Sequence, residues 1–296
     1  MARNHGKELD MAGAPKRIAS LEELTGNYAA IFSDVWGVLH NGERAFAQPA
    51  AALEAARARG LAVVLITNAP RPMDDVKKQL AALGVPQTAW DRLVTSGDVT
   101  RDLIAEGPRQ VFHLGPDRDL IIYDGLDVEL VEEFEAAAVV CTGLFDDETE
   151  TPDDYSEMLR RFRARDLPFI CANPDIVVER GERLIWCAGA LARDYAQLGG
   201  RTLISGKPHR PIYAAALAAA SEVLGRPVDA REVLAIGDGA LTDVKGGLDN
   251  DLDVLFVSAG IHAADYGDPD EPDVNLLSAF LDRHGHHPVA YIPRLR

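Results

Sequence analysis

Short apolar runs alternate with longer amphipathic segments over most of the chain. The runs "AAIFSDV" (29–35) and "LAVVLITN" (61–68) have the length of strands, and helix-like segments follow them at 49–60 and 71–84. Strands that are apolar throughout, rather than at every second residue, are typical of a parallel sheet covered by helices. The pattern therefore predicts an α/β fold.

The alternation of strand-like and helix-like segments changes between residues 98 and 199 and resumes after that stretch. The strands predicted in the resumed part are "RTLISG" (201–206), "EVLAIGDG" (232–239) and "DVLFVSAG" (253–260). A chain of this length fits two domains better than one small core. We therefore predict a core sheet formed by residues 1–97 and 200–296, with a second domain inserted at 98–199.

The composition describes an acidic globular protein. Lys and Arg total 30 and Asp and Glu total 47 among 296 residues, a formal net charge of −17 at pH 7. A polyanion would be repelled at long range, so we expect neither nucleic acid nor an anionic membrane as a partner. The apolar runs are strand-sized, far below the roughly 20 residues of a membrane-spanning helix. Because the N-terminal segment also lacks the apolar region of a signal peptide, we expect a cytoplasmic protein.

Four polar stretches follow predicted core strands. They are Asp34 after "AAIFS", Thr67 with Asn68 after "LAVVLI", Lys207 beyond "RTLISG", and Asp238 after "VLAIG". Ligands of open parallel sheets bind beyond the carboxyl ends of the strands. The four stretches are far apart in sequence, but this fold would bring them to one edge.

Their chemistry suits the transfer of a phosphoryl group. The Asp34 carboxylate can attack phosphorus as a nucleophile, and Thr67 offers a hydroxyl to a phosphoryl oxygen. Lys207 can balance negative charge on the nucleophile and the substrate. Asp34 and Asp238 can hold Mg²⁺, which prefers oxygen ligands, and Asp243 can orient a water on the metal. Such local positive charge is needed because a small phosphorylated substrate must bind to a strongly acidic protein.

The order of these motifs resembles that of one hydrolase superfamily. The motifs are "DVWGVLHNG" (34–42), "ITNAP" (66–70), "ANPD" (172–175), "CAGAL" (187–191), "SGKPH" (205–209) and "GDGALTD" (237–243). Over about residues 20–262, the chain is similar to the haloacid dehalogenase superfamily, in the class with a type IIA cap. That class includes p-nitrophenyl-phosphate, pyridoxal-phosphate and sugar-phosphate phosphatases.

The resemblance implies a Rossmann-like core, a class IIA cap at 98–199 and dependence on Mg²⁺. The implied roles are Asp34 as nucleophile and metal ligand, Thr67 as phosphate binder, Lys207 as charge stabiliser, Asp238 as metal ligand, and the backbone carbonyl of Trp36 as a further metal ligand. To these we add Asn68 and His40 as substrate contacts and Asp243 at the metal. Proteins of this class often pair through their caps, so a homodimer is one expectation.

The chain departs from the family pattern at Trp36 and Ala69. Trp36 stands where the family carries its general acid/base aspartate, and Ala69 stands in place of an asparagine. A positioned general acid or base contributes about 10²- to 10⁴-fold to the rate. Its loss matters most for a poor leaving group such as a sugar alkoxide. His40 and Glu43 follow the nucleophile and could supply the proton instead.

Three interpretations stay open. The first is a Mg²⁺-dependent phosphatase of a small phosphorylated metabolite that forms an aspartyl-phosphate and is weak or restricted to good leaving groups. The second is a hydrolase of a non-phosphate substrate, such as a dehalogenase. The third is a catalytically impaired module that binds a phospho-ligand, with Trp36 stacked on a ligand ring or packed beneath the cap. We favour the first because Asp34, Lys207 and Asp238 are all retained.

Overall fold

The computed structural model describes residues 15–296. The N-terminal segment considered for a signal peptide lies mostly outside this range. The strands are β1 (Lys16–Arg17), β2 (Ala30–Ser33), β3 (Ala62–Thr67), β4 (Arg92–Thr95), β5 (Gln110–Leu114), β6 (Glu129–Leu130), β7 (Ala138–Cys141), β8 (Phe169–Cys171), β9 (Val177–Arg180), β10 (Arg183–Trp186), β11 (Thr202–Ile204), β12 (Val233–Gly237), β13 (Asp253–Val257) and β14 (Ala290–Ile292). The α-helices are α1 (Glu22–Thr25), α2 (Ala47–Ala58), α3 (Met73–Leu83), α4 (Ser96–Ala105), α5 (Ser156–Ala164), α6 (Ala188–Gln197), α7 (Arg210–Leu224), α8 (Lys245–Asp249) and α9 (Val274–Arg283). Within this range, no helix combines the length and hydrophobicity that a bilayer-crossing segment needs.

The larger sheet is parallel throughout. Within the described residues it has seven strands in the order β1-β14-β13-β12-β2-β3-β4, and every neighbouring pair is parallel. From β2, the chain continues outward to β3 and β4, whereas β12 and β13 lie on the other side. The gap between the ends of β2 and β12 is therefore the topological switch point, where ligands bind in folds of this kind.

Alternate residues of the central strands fill the two layers that cover this sheet. Ile31 and Leu65 pack on one face with Leu53 of α2. Phe32 belongs to the opposite face, where it packs with Ile212 of α7. Because both faces are covered, β2 and β3 are buried along their whole length. This is the physical reason for the uninterrupted apolar runs in the sequence.

A second sheet lies in the middle of the chain. Its order is β11-β8-β7-β5-β6, again with parallel neighbours, and β9 and β10 form a separate antiparallel hairpin. The predicted α/β class is therefore confirmed, with a Rossmann-like core and an additional sheet that we call the cap. The domain boundaries at 97/98 and 199/200 stay a prediction.

One strand belongs to a different sheet from the one the sequence pattern predicts. "RTLISG" is expected in the core, and this is wrong, because β11 pairs with β8 in the cap, with Leu203 opposite Ile170. The three residues of β11 are only half-buried, as suits an edge strand. A strand this short carries no periodicity that could indicate which sheet it joins. Lys207 therefore follows a strand of the cap rather than a strand of the core.

Candidate active site

Asp34 and Asp238 follow adjacent strands of the core sheet. β2 ends at Ser33 and β12 ends one residue before Asp238, and the strands pair with Ser33 opposite Ile236. The Asp34 N–H donates to the Ile236 carbonyl oxygen at 2.8 Å, which extends the ladder by one residue. Both aspartates therefore lie at the carboxyl edge of the sheet, at its topological switch point.

The Lys207 ammonium joins two carboxylates at this edge. Its Nζ donates to Oδ1 of Asp34 at 2.6 Å and to Oδ1 of Asp243 at 2.7 Å. Lys207 is 2% exposed, and Asp34, Asp238 and Asp243 are 6%, 6% and 5% exposed. One carboxylate oxygen from each aspartate lies within 4.8 Å of the other two. The structure thus gathers four residues predicted from the sequence into one buried cluster.

Asn68 fixes the position of Lys207 from the core. The Lys207 N–H donates to Oδ1 of Asn68 at 2.8 Å, and Nδ2 of Asn68 donates to the Lys207 carbonyl oxygen at 3.3 Å. Asn68 follows Thr67, the last residue of β3, so the loop beyond β11 is tied to the edge of the core sheet. Thr67 is buried, and its Oγ1 accepts a bond from the Ala69 N–H at 3.3 Å. The substrate contacts predicted for Thr67 and Asn68 stay predictions.

Two glycines let the backbone approach Asp238 closely. A Cβ on Gly37 would lie 2.2 Å from Oδ2 of Asp238, and a Cβ on Gly260 would lie 2.0 Å from the same atom. Gly37 also has a φ of +83°, in the left-handed region that favours glycine. The Ile261 N–H donates to Oδ2 of Asp238 at 2.9 Å. The surrounding loops therefore orient this carboxylate.

Burial dominates the electrostatics of the cluster. Desolvation raises the pKa of Asp34 well above its usual value, and the Asp243 carboxylate raises it further, against the opposing effect of Lys207. Burial also raises the pKa of Asp238 to about 7. Burial disfavours the charge on Lys207, but the carboxylates of Asp243 and Asp34 raise its pKa well above the usual value. The cluster therefore contains three carboxyl groups and one ammonium group, so its negative charges outnumber its positive charge when all the carboxyl groups are ionised.

The donor set of the cluster fits a hard divalent cation. Asp34, Asp238 and Asp243 offer carboxylate oxygens, which Mg²⁺ prefers. When all three are ionised, a single ammonium leaves two negative charges in a buried place, where uncompensated charge is costly. A divalent ion would balance those charges and favour the ionised form of Asp238. The metal contact predicted for the Trp36 carbonyl stays a prediction.

Trp36 contacts the cap rather than the carboxylate cluster. Its indole Nε1 donates to the backbone carbonyl oxygen of Glu179 in β9. The Gly181 N–H, in the turn between β9 and β10, donates to the Asn41 carbonyl oxygen at 3.1 Å. The segment that follows Asp34 is therefore attached to the β9–β10 hairpin by two hydrogen bonds.

His40 lies beneath this attachment and is uncharged near neutral pH. It is 1% exposed, its ring meets the Trp36 indole edge-on with centroids 5.0 Å apart, and its Nδ1 accepts the Gly42 N–H at 2.9 Å. Burial lowers the pKa of His40 to about 4. This geometry favours a role in shaping the turn, and the substrate contact predicted for His40 stays a prediction.

Two cavities adjoin the cluster. The first, of about 360 Å³, is lined by the cluster residues Asp34, Lys207 and Asp238 and by largely apolar residues of the cap such as Ala192 and Ile204. The second, of about 340 Å³, has a more polar wall that includes Arg71, Asp119, Thr142 and Arg180. Four residues line both cavities: Trp36, Thr67, Asp175 and Val178.

Asp175 is a residue of this site that sequence reasoning did not single out. It ends the "ANPD" stretch beyond β8, where Nδ2 of Asn68 donates to its Oδ1 at 2.8 Å. Burial raises the pKa of Asp175, while the Lys207 charge and the Asn68 bond oppose the rise. The available signals were its membership of the "ANPD" motif and its place beyond the carboxyl end of a strand. The strand belongs to the cap sheet, and the docking of cap on core brings Asp175 to the cluster.

Comparison with known proteins decides the family. Residues 31–129 match a family model described as haloacid dehalogenase-like hydrolase, and residues 204–281 match a second model of HAD-like hydrolases. A hydrolase of the haloacid dehalogenase-like family from Brucella suis 1330 is 62% identical, over 95% of this chain and 100% of that one, with a TM-score of 0.86. The chain belongs to the haloacid dehalogenase-like hydrolase family.

More distant structures share the fold of this haloacid dehalogenase-like hydrolase. A p-nitrophenyl phosphatase from Archaeoglobus fulgidus is 21% identical over 90% of this chain and 95% of that one, with a TM-score of 0.67. NagD from E. coli K-12 is 21% identical over 90% and 97%, with a TM-score of 0.63. These likenesses show a shared fold, and the class IIA assignment of the cap stays a prediction. The comparison with curated proteins gave no match.

Proposed function

We propose that this haloacid dehalogenase-like hydrolase is a Mg²⁺-dependent phosphatase of a small phosphorylated metabolite. The observation that carries the proposal is the buried contact of Lys207 Nζ with both Asp34 and Asp243, beside the Asp238 carboxylate. Transfer of a phosphoryl group needs a nucleophile and preorganised positive charge for the phosphoryl oxygens. The cluster offers both at the mouth of a cavity that can hold a substrate.

In the proposed reaction Asp34 attacks phosphorus. Lys207 holds its Oδ1, which leaves Oδ2 as the attacking oxygen. The bond from phosphorus to the leaving oxygen breaks as the bond to Oδ2 forms, which gives an aspartyl-phosphate. Thr67 offers its hydroxyl to a phosphoryl oxygen. Water then attacks phosphorus, and phosphate leaves with Asp34 restored.

Asp34, Asp238 and Asp243 are the residues that would hold Mg²⁺. Bound there, the ion supplies positive charge against the phosphoryl oxygens and the nucleophile. Lys207 contributes its own charge, since it already bonds to one oxygen of Asp34 and one of Asp243. Together these charges explain how a protein with a net charge of −17 could bind a phosphorylated substrate.

The proposal favours phosphate over halide chemistry for a physical reason. Displacement of a halide by a carboxylate needs no divalent cation, yet Asp238 and Asp243 stand beside the nucleophile as buried acids. Keeping them there costs stability unless they bind a cation. The similar fold of the p-nitrophenyl phosphatase from Archaeoglobus fulgidus makes p-nitrophenyl phosphate the first substrate to test.

The test is turnover of p-nitrophenyl phosphate and acetyl phosphate, with Mg²⁺ and with a chelator. We expect turnover that requires Mg²⁺ and that Asp34→Asn removes. Asp127→Asn is the matched control, because the Asp127 side chain is 83% exposed and pairs with Arg109 on the surface. It should retain full activity. Phosphate-ester binding without turnover would replace the proposal with a binding module, and metal-independent turnover of haloacids would replace it with a dehalogenase.

A further inference from the structure

The proposed reaction lacks an obvious source of the proton that a poor leaving group needs. The residue two positions after Asp34 is Trp36, whose only polar side-chain atom already donates to the Glu179 carbonyl oxygen. His40 uses Nδ1 to accept the Gly42 N–H, and its low pKa keeps it neutral at physiological pH. Glu43 is exposed. None of the three therefore combines a transferable proton with access to the cluster.

Asp175 has that access. It lines both cavities, as do Thr67 and Trp36. Thr67 ends β3 next to the cluster, so the boundary of the two cavities adjoins the place proposed for the phosphoryl group. Asp175 lies at this boundary, and the second cavity provides about 340 Å³ for the rest of the leaving group.

The carboxyl group of Asp175 is held in one orientation. Asn68 Nδ2 donates to Oδ1 at 2.8 Å, and the Gly189 N–H donates to the Asp175 backbone carbonyl oxygen at 3.1 Å. The Asp175 N–H in turn donates to Oδ1 of Asn173 at 3.1 Å. Among the hydrogen bonds of residues 15–296, only the bond from Asn68 reaches the carboxyl group. Oδ2 is therefore the oxygen available to carry a proton.

The charges around Asp175 suit a proton that is held and then released. Burial raises the pKa of its carboxyl group, and Asp243 raises it further, whereas Lys207 and the Asn68 bond lower it. Asp238 faces it from the core and the thiols of Cys171 and Cys187 from the cap. A catalytic acid works best when its pKa approaches the working pH.

We propose that Asp175 is the general acid and base of this enzyme, in the place of the residue that Trp36 replaces. The inference rests on the proposed phosphatase function and makes alkyl phosphates part of its substrate class. In the first step the ester oxygen leaves phosphorus with its electron pair and takes the proton from Oδ2 of Asp175, while Oδ2 of Asp34 bonds to phosphorus. In the second step the Asp175 carboxylate takes a proton from water as the water oxygen attacks phosphorus. Asp34 then leaves, and ester plus water have become alcohol plus phosphate.

Asp175→Asn is the discriminating variant. Asparagine keeps an oxygen that can accept the Asn68 bond, but its amide group cannot act as a general acid or base. For the alkyl phosphate that the wild-type protein hydrolyses fastest among sugar and glycerol phosphates, turnover should fall by about 10²- to 10⁴-fold. With p-nitrophenyl phosphate, whose leaving group needs no proton, the variant should release one equivalent of p-nitrophenolate per site in a fast burst. Slow turnover should follow, because the second step has lost its base.

The pH dependence gives a readout that a structural role would not move. Wild-type kcat/KM for the alkyl phosphate should fall on the alkaline side as Asp175 ionises, and this fall should be absent in Asp175→Asn. Asp127→Asn is the matched control, since it makes the same change at another cap aspartate, one whose side chain is 83% exposed and pairs with Arg109 on the surface. This variant should hydrolyse the alkyl phosphate at the wild-type rate, with the same fall in kcat/KM at alkaline pH. It should also hydrolyse p-nitrophenyl phosphate with wild-type kinetics. Thermal unfolding of each variant establishes that it is folded.

Three results would overturn the inference. One is unchanged alkyl turnover in Asp175→Asn. Another is an equal loss on alkyl and aryl phosphates with no burst. The third is a wild-type protein that hydrolyses p-nitrophenyl phosphate with Mg²⁺ but none of the alkyl phosphates. If the wild-type protein still hydrolyses p-nitrophenyl phosphate with Mg²⁺, each of these results would refute the role of Asp175 and leave the proposed phosphatase function intact. If the wild-type protein shows no such turnover, the proposed function itself is refuted.

Discussion

The indole Nε1 of Trp36 donates a hydrogen bond to the backbone carbonyl oxygen of Glu179. Trp36 lies two residues after the candidate nucleophile, and Glu179 lies in the β9–β10 hairpin that lines the first cavity. A side chain at this position therefore connects the core to the cap. The Trp36 side chain therefore positions the hairpin beside Asp34.

Trp36→Phe should loosen the hairpin. Phenylalanine retains an aromatic ring but cannot donate to Glu179, and one hydrogen bond of this kind is worth about 1 kcal/mol. Amide hydrogens of residues 177–186 should therefore exchange faster with deuterium, as followed by mass spectrometry. Trp90→Phe is the control, because the buried Trp90 Nε1 has no hydrogen-bond partner among the described residues. Equal exchange of the hairpin in both variants would show that the Trp36 bond does not hold the cap.

Lys207→Met should destabilise the protein strongly when Mg²⁺ is absent. The change leaves Asp34 and Asp243 buried without their ammonium, and removing one partner of a buried ion pair costs about 3–5 kcal/mol. Urea unfolding in a chelator measures this loss. Lys245→Met breaks the pair with Asp249, whose two side chains are 44% and 53% exposed, and should cost less than about 1 kcal/mol. Similar losses in the two variants would contradict the buried cluster.

The arrangement of the core could be predicted from the sequence because its signals are local. Continuous apolar runs mark strands that are buried on both faces, and Asp34 and Asp238 each follow such a strand directly. The parallel topology then brings their carboxylates together. The short strands β1, β6 and β14 were missed, since two or three residues show no periodicity.

The way in which the cap reaches the cluster could not be predicted from the sequence, for a different reason. Lys207 is expected at the cluster, but it arrives there beyond a cap strand rather than a core strand and is held by Asn68. Asp175 reaches Asn68 from beyond β8, and the sequence assigns it no role. The contact between Trp36 and Glu179 is of the same kind. Each depends on how the cap docks on the core, and a docking geometry leaves no pattern in either segment alone.

Stability should fall as the pH falls from about 6.5 to about 4, and His40 should account for part of this. In the folded protein burial lowers the pKa of His40 to about 4, against 6.5 for an ordinary histidine. In that range the unfolded chain binds a proton that the folded chain excludes, so the stabilisation present above pH 6.5 is lost on acidification, by about 3 kcal/mol. Urea unfolding as a function of pH measures the slope.

His40→Asn tests the assignment of that slope. The asparagine oxygen can still accept the Gly42 N–H in place of Nδ1, but the side chain does not titrate. The variant should show a shallower dependence of unfolding free energy on pH between 4 and 6.5, whatever its absolute stability. An unaltered slope in His40→Asn would mean that other groups dominate acid destabilisation.

Gly189→Ala should disturb the site although Gly189 carries no functional group. Its Cβ would lie 2.1 Å from the Pro174 carbonyl oxygen and 2.5 Å from that of Asp175, so the 174–175 backbone must move away from α6. Alanine otherwise favours a helix by about 1 kcal/mol over glycine, whereas overpacking costs about 1–3 kcal/mol. We therefore expect lower stability by thermal unfolding, together with at least a tenfold loss of alkyl phosphate turnover as Asp175 shifts. Gly26→Ala, where a Cβ meets nothing within 4 Å and φ is −65°, should leave both unchanged. Wild-type stability and turnover in Gly189→Ala would show that α6 does not hold Asp175 in place.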